Sequence, residues 1–175
     1  WFVNASNLIA RDERNFQPHL EVFERLCSTI GDRNVARLVA TGPSIQDVKS
    51  LKTSDTAFTV ACNTIAVNSD LMERLRPEVL TFADPVYHFG PSVYVEKFHD
   101  AVQRATAEYG TFIVTTDRYA EWLRRKIPSI SNHLIGLRQL TRGASTSAGH
   151  QNFDLRGNLA VVPYPNILTM MMLPI

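Results

Sequence analysis

Cysteine is nearly missing from this chain: Cys27 and Cys62 stand alone among 175 residues. Two cysteines in apolar surroundings make no disulfide framework and fit no metal-ligand spacing, so buried free thiols in a reducing compartment are expected. The cytoplasm, or the inner face of its membrane, is the compartment this implies. An excess of charge of one sign is missing too. The 18 Lys+Arg against 17 Asp+Glu leave a formal charge of +1, too little to draw the whole chain to nucleic acid or an anionic membrane. No apolar run reaches the length of a membrane span, the closing "ILTMMMLPI" included. The opening "WFVNASNLIARDER" lacks the basic start and long apolar core of a secretory signal. Several chemical signatures are also absent. The chain holds no G-x-G-x-x-G, no G-x-x-x-x-G-K-[ST], no G-x-S-x-G elbow and no D-x-D pair for a nucleotide-bound divalent ion. No metal site and no tightly bound cofactor are expected.

What is present is a regular alternation. "FQPHLEVFERLCSTI" carries Phe16, Leu20, Phe23, Leu26, Cys27 and Ile30 on a helical stripe that stops at Gly31. "VARLVA", "AFTVACN", "EVLTFADP", "TFIVTT", "HLIGL" and "NLAVVP" read as six strands. Between them, "IQDVKSL" reads as a short helix or turn, and "SDLMERL" with Ser69 as cap, the stretch from Ser92 to Tyr109, and "RYAEWLRRK" with Asp117 as cap read as helices. Such alternation predicts an α/β fold: a modified Rossmann-like, mostly parallel sheet with helices on both faces. Residues 1–34 form a helical lead-in and 35–175 the sheet domain, which the apolar closing segment suggests is incomplete. The segment from Arg138 to Asn158, rich in Gly, Ser and Thr, is long for a connection. It reads either as a lid over a site or as a plain surface loop.

Three strand exits carry the candidate chemistry. After the first strand come Thr41, Gly42, Pro43 and Ser44. Gly42 admits a ligand close to the backbone, Pro43 suits a helix's first turn, and Ser44 with Asp47 resembles a short capping signal. Amides freed at such a turn can hold a phosphate, although any strand-to-helix turn uses similar residues. Asn63 closes the second strand, where its amide can both donate and accept, or merely form an Asx-turn. Asp84 closes the third, in "FADPVYHFGPS". It can act as a base toward an acceptor hydroxyl, hold ribose hydroxyls, or cap the turn before Pro85. His88 offers a second base, or packs beside Phe89. Arg118, Arg124, Arg125 and Lys126 read as a solvated helix face, while Arg138, Arg142 and Arg156 bracket the long loop and can clamp an anion. Among the other histidines, His150 is expected to be exposed and His133 structural.

The order strand, "TGPSI", strand, "CN", strand, Asp-Pro resembles the bacterial sialyltransferases of glycosyltransferase family 42 and the related Kdo transferases and domain-of-unknown-function 115 proteins. Thr41 stands where that family's turn has Asn, and Asp84-Pro85 where it has Asn-Pro. The resemblance implies a CMP-activated acidic sugar as donor. Thr41, Gly42, Pro43, Ser44, Asn63 and Asp84 would lie against it, and Asp84 or His88 would serve the chemistry. The product would be a glycan bearing Kdo or a sialic-acid-type sugar, and the partners a nucleotide-sugar, a glycan acceptor and a larger parent protein. Two other functions remain open on the same residues: a pyrophosphokinase-like nucleotide enzyme, and a non-catalytic interaction module.

Overall fold

The computed structural model describes residues 16–43, 45, 56–139 and 160–161. Helix α1 (Gln17–Ile30) precedes strand β1 (Val35–Val39), then β2 (Ala57–Cys62). A 3-10 turn over Asn63–Val67 leads into α2 (Ser69–Leu75), followed by β3 (Val79–Thr81), the single-turn α3 (Val86–Phe89) and α4 (Val95–Tyr109). Strand β4 (Phe112–Thr116), α5 (Asp117–Lys126), a second 3-10 stretch (Pro128–His133), β5 (Leu134–Gln139) and β6 (Ala160–Val161) complete it. The predicted "IQDVKSL" helix lies outside the described residues apart from Ile45.

Every strand pair is parallel, and the sheet runs β1-β2-β3-β4-β5-β6 in chain order. The fold is therefore the expected Rossmann-like α/β type, with a sequential strand order. Right-handed crossovers that always step the same way put their helices on one face. The α2, α4 and α5 side chains accordingly share one core with Leu80, Ile113 and Leu134, including Met72, Phe98, Val102 and Leu123. The opposite face carries α1. His19, Val22, Phe23 and Leu26 recur at the three-and-four spacing of a helical stripe and are all buried. The apolar members of that stripe meet Phe58, Val60, Val79, Val114, Ile135 and Leu137. Strand side chains alternate between the two cores, so neither face of the central strands reaches water.

Local signals place the element ends. Gly31 and Gly110 stop α1 and α4 with φ of 61° and 68°, a region that a side chain disfavours. The cap of α2 is Asn68 rather than the expected Ser69: the Asn68 carboxamide accepts the Leu71 amide at 3.1 Å. Its extended backbone and short acceptor suit that position, which leaves Ser69 as the first helical residue. Asp117 likewise opens α5 from inside the helix, and Thr116 is the cap residue. Gly136 lets α5 lie close over β5, since a Cβ there would stand 2.9 Å from both Ala120 Cβ and Asp117 Cα.

At the amino end of the sheet, side chains continue the hydrogen bonding where strands begin. Glu78, just before β3, accepts the Thr59 amide of β2 at 2.7 Å and pairs with Arg33. Arg33 also donates to the carbonyls of Ile30 at 3.0 Å and Thr29 at 2.9 Å. Thr111 donates its hydroxyl to the Pro77 carbonyl at 2.8 Å, and the Phe112 amide bonds Glu78 O at 2.8 Å.

Candidate functional site at the carboxyl edge of the sheet

Parallel strands in register end together, and the residues after them share one edge. Val39 pairs with Ala61, Cys62 with Thr81, Thr81 with Val114, and Thr116 with Leu137. The Thr41–Gly42–Pro43 turn, Asn63, Asp84 and the first turn of α5 therefore follow one another along the carboxyl edge. These are the strand exits that the sequence singled out. Ser44 lies outside the described residues, as do Asp47, Arg142, His150 and Arg156.

The turn after β1 is narrower as an anion cradle than its sequence suggests. The Thr41 amide is directed inward at Cys62, where it offsets part of the rise that burial imposes on the thiol's pKa. The Ile45 amide bonds back to Gly42 O at 3.0 Å. Pro43 has no N–H. Gly42 is left as the described turn residue whose amide meets no partner among the described residues. The same inward bond gives Cys62 a role that spacing could not reveal, tying the end of β2 to the turn beyond β1.

Asn63 has φ of 49°, one of two non-glycine residues with positive φ among those described. Asn tolerates this left-handed geometry better than most side chains. The bend starts the 3-10 turn whose Ile65 and Ala66 are buried, and it leaves Asn63 half-buried at the edge. Asp84 is exposed. Its carbonyl receives the Tyr87 amide at 3.4 Å, and no hydrogen bond or ion pair to its carboxylate forms among the described residues.

His88 points into an aromatic cluster. Its ring lies 4.7 Å from Phe98 and 5.5 Å from Phe82, and Phe82 stacks edge-on with Phe89 at 5.0 Å. Burial lowers the His88 pKa, and the Asp84 charge partly opposes that. The imidazole is therefore neutral at physiological pH, held by packing within the electrostatic reach of Asp84.

Tyr119, on the first turn of α5, was passed over by the sequence reasoning. Burial raises its pKa, the Asp84 charge raises it further, and Arg118 lowers it. Asp84 thus lies within electrostatic reach of His88 and of Tyr119, which Arg118 also reaches. The available signal was position: Tyr119 follows β4 at the same edge that carries the other candidates. Asp117 turns its carboxylate onto the Arg118 amide at 2.7 Å. Arg124 and Arg125 pair with Glu121 at 3.2 and 3.4 Å. The Arg138 guanidinium lies over the Phe16 ring, 5.1 Å from its centroid.

Beside this edge, α3 and the turn after it hold Val86, Tyr87, Val93 and Tyr94 out to solvent, with Tyr87 77% and Val93 91% exposed. Among the described residues, no group of three or more His, Cys, Asp or Glu is placed to hold a metal ion. No described helix is long and apolar enough to cross a membrane. No family model, curated protein or solved structure matches the chain.

Proposed function

We propose that the carboxyl edge binds a CMP-activated acidic sugar, of the Kdo or sialic acid type, and transfers the sugar to a glycan hydroxyl. The observation that carries this reading is the neighbourhood of three groups at consecutive strand exits. These are a Gly42 amide and an Asp84 carboxylate that meet no partner among the described residues, and between them an Asn held in left-handed geometry. The Gly42 N–H would donate to the donor phosphate and stabilise negative charge as CMP departs. Asn63 would bond the nucleoside, donating and accepting through one carboxamide. Asp84 would accept the proton of the attacking hydroxyl, or hold a donor hydroxyl while neutral His88 accepts that proton.

The resemblance to family 42 supplies the sugar class, and the strand-exit geometry supports a nucleotide ligand more broadly. Calorimetric titration with CMP, CDP, ATP and GTP tests the assignment. Selective CMP binding, weakened about tenfold or more by Gly42→Val, is the expected result, because a branched side chain shields the amide. Selective ATP binding that needs magnesium would replace the transferase with a pyrophosphokinase-like enzyme. Absence of binding by all four would favour an interaction module.

A further inference from the structure

His19, in the first turn of α1, meets backbone groups at the edge of β5. Among the described residues, strand β6 pairs with β5 at Arg138 and Gln139. Lower on the same strand, Leu134 and Gly136 direct a carbonyl and an amide outward, where a next strand would donate to the first and accept from the second. The His19 ring meets both groups with one atom. Gly136 donates its amide to Nδ1 at 3.1 Å, and Leu134 O lies 3.2 Å from the same nitrogen. Arg124 of α5 brings a guanidinium nitrogen to 3.5 Å from it as well. The residue is 4% exposed.

One nitrogen cannot accept and donate at once. Without a proton, Nδ1 accepts from Gly136 and Arg124, and the ring's hydrogen resides on Nε2. With a proton, Nδ1 loses those two donors and can bond only Leu134 O. We propose that His19 is an acid-switched clip: unprotonated, Nδ1 accepts the Gly136 amide, and protonation frees that amide and turns Nδ1 as a donor onto the Leu134 carbonyl of the same strand.

The groups facing the ring favour the unprotonated form. Burial lowers the His19 pKa, the Leu134 carbonyl raises it, Arg124 lowers it, and Glu121 and Asp117 raise it, with a net decrease. Arg124 is partly compensated by Glu121, to which it bonds at 3.2 Å. Phe16 contributes an uncharged ring at 6.2 Å. The Gly136 bond is therefore made at neutral pH and is exchanged for the Leu134 bond below the ordinary histidine range.

Nitrogen-15 NMR of the full chain, with amide exchange followed from about pH 7.5 to about pH 5, reads the tautomer and the clip together. The expected result is an Nε2–H tautomer at the upper pH and a Gly136 protection factor that falls about tenfold or more on acidification. His19→Asn keeps an acceptor near the Nδ1 position and has no proton to gain, so its Gly136 protection should not respond to acid. An Nδ1–H tautomer at neutral pH would overturn the proposal. So would a wild-type Gly136 amide indifferent to acid, or an equal acid response in His19→Asn. If the Asn variant fails to fold, the wild-type tautomer and protection still decide.

Discussion

Glu78 and Asp84 flank the same short strand and have opposite fates. Glu78, at the amino end, commits one carboxylate oxygen to the Thr59 amide and the other to Arg33, and both of those partners are tied to the rest of the fold. Asp84, at the carboxyl end, is exposed and holds no described partner, although His88 and Tyr119 both feel its charge. The difference separates a carboxylate that continues a β-ladder from one positioned above an aromatic floor. Parallel sheets share this asymmetry: one end closes the architecture, and the other leaves polar groups for a ligand.

Mutating each end breaks the comparison if it is wrong. Glu78→Ala leaves the Thr59 amide and the Arg33 guanidinium without their acceptor, so it should cost about 2–3 kcal/mol in urea unfolding. A loss within the scatter of surface substitutions would show that water replaces this carboxylate at little cost. Acid should come next in effect. His19, His88, His99 and His133 all have pKa values lowered first by burial. A folded pKa below the unfolded one means that the unfolded chain binds protons first. The stability these groups contribute is fully present above the unfolded value of about 6.5 and is lost as pH falls toward the folded values. His88→Phe keeps the ring among Phe82, Phe89 and Phe98. It should leave stability unchanged near neutrality and reduce its loss in acid, as unfolding midpoints at the two pH values would reveal.

Asn63→Ala should cost about 1 kcal/mol while Asn63→Gly costs little or nothing, because the strain lies in the left-handed backbone. Equal losses in both variants would instead point to a structural bond made by the carboxamide. The smallest stability effect should come from Asp84→Asn, within about 0.5 kcal/mol of wild type. The same change should weaken CMP binding or turnover, and an equal fall in stability would remove the contrast with Glu78.

Much of this architecture was legible in the sequence because burial leaves a period. The α1 and α4 stripes, the glycines that end both helices, and the six apolar strand segments follow from local chemistry. The three strand exits were legible for the same reason, since Thr41–Gly42, Asn63 and Asp84 each interrupt an apolar run. Strand order was not, because pairing partners lie dozens of residues apart and the pattern within a strand does not name its neighbour. Nothing within "RPEVL" marks Glu78 as structural, because its partner is the Thr59 amide of the neighbouring strand β2. The sequence around His19 does not name its partner, which lies on β5, more than a hundred residues later. Cys62 was read as a buried thiol, which it is. Its bond from Thr41 depended on where the first turn folds back.

Of the described amides in the first turn, Thr41 and Ile45 have partners, and Gly42 has none among the described residues. Titrating the labelled chain with CMP while following these three amide resonances tests the proposed Gly42 phosphate contact directly. The Gly42 resonance should move downfield saturably, with Thr41 and Ile45 nearly still. A Gly42 resonance that stays in place while CMP binds elsewhere, or no binding of CMP at all, would contradict it.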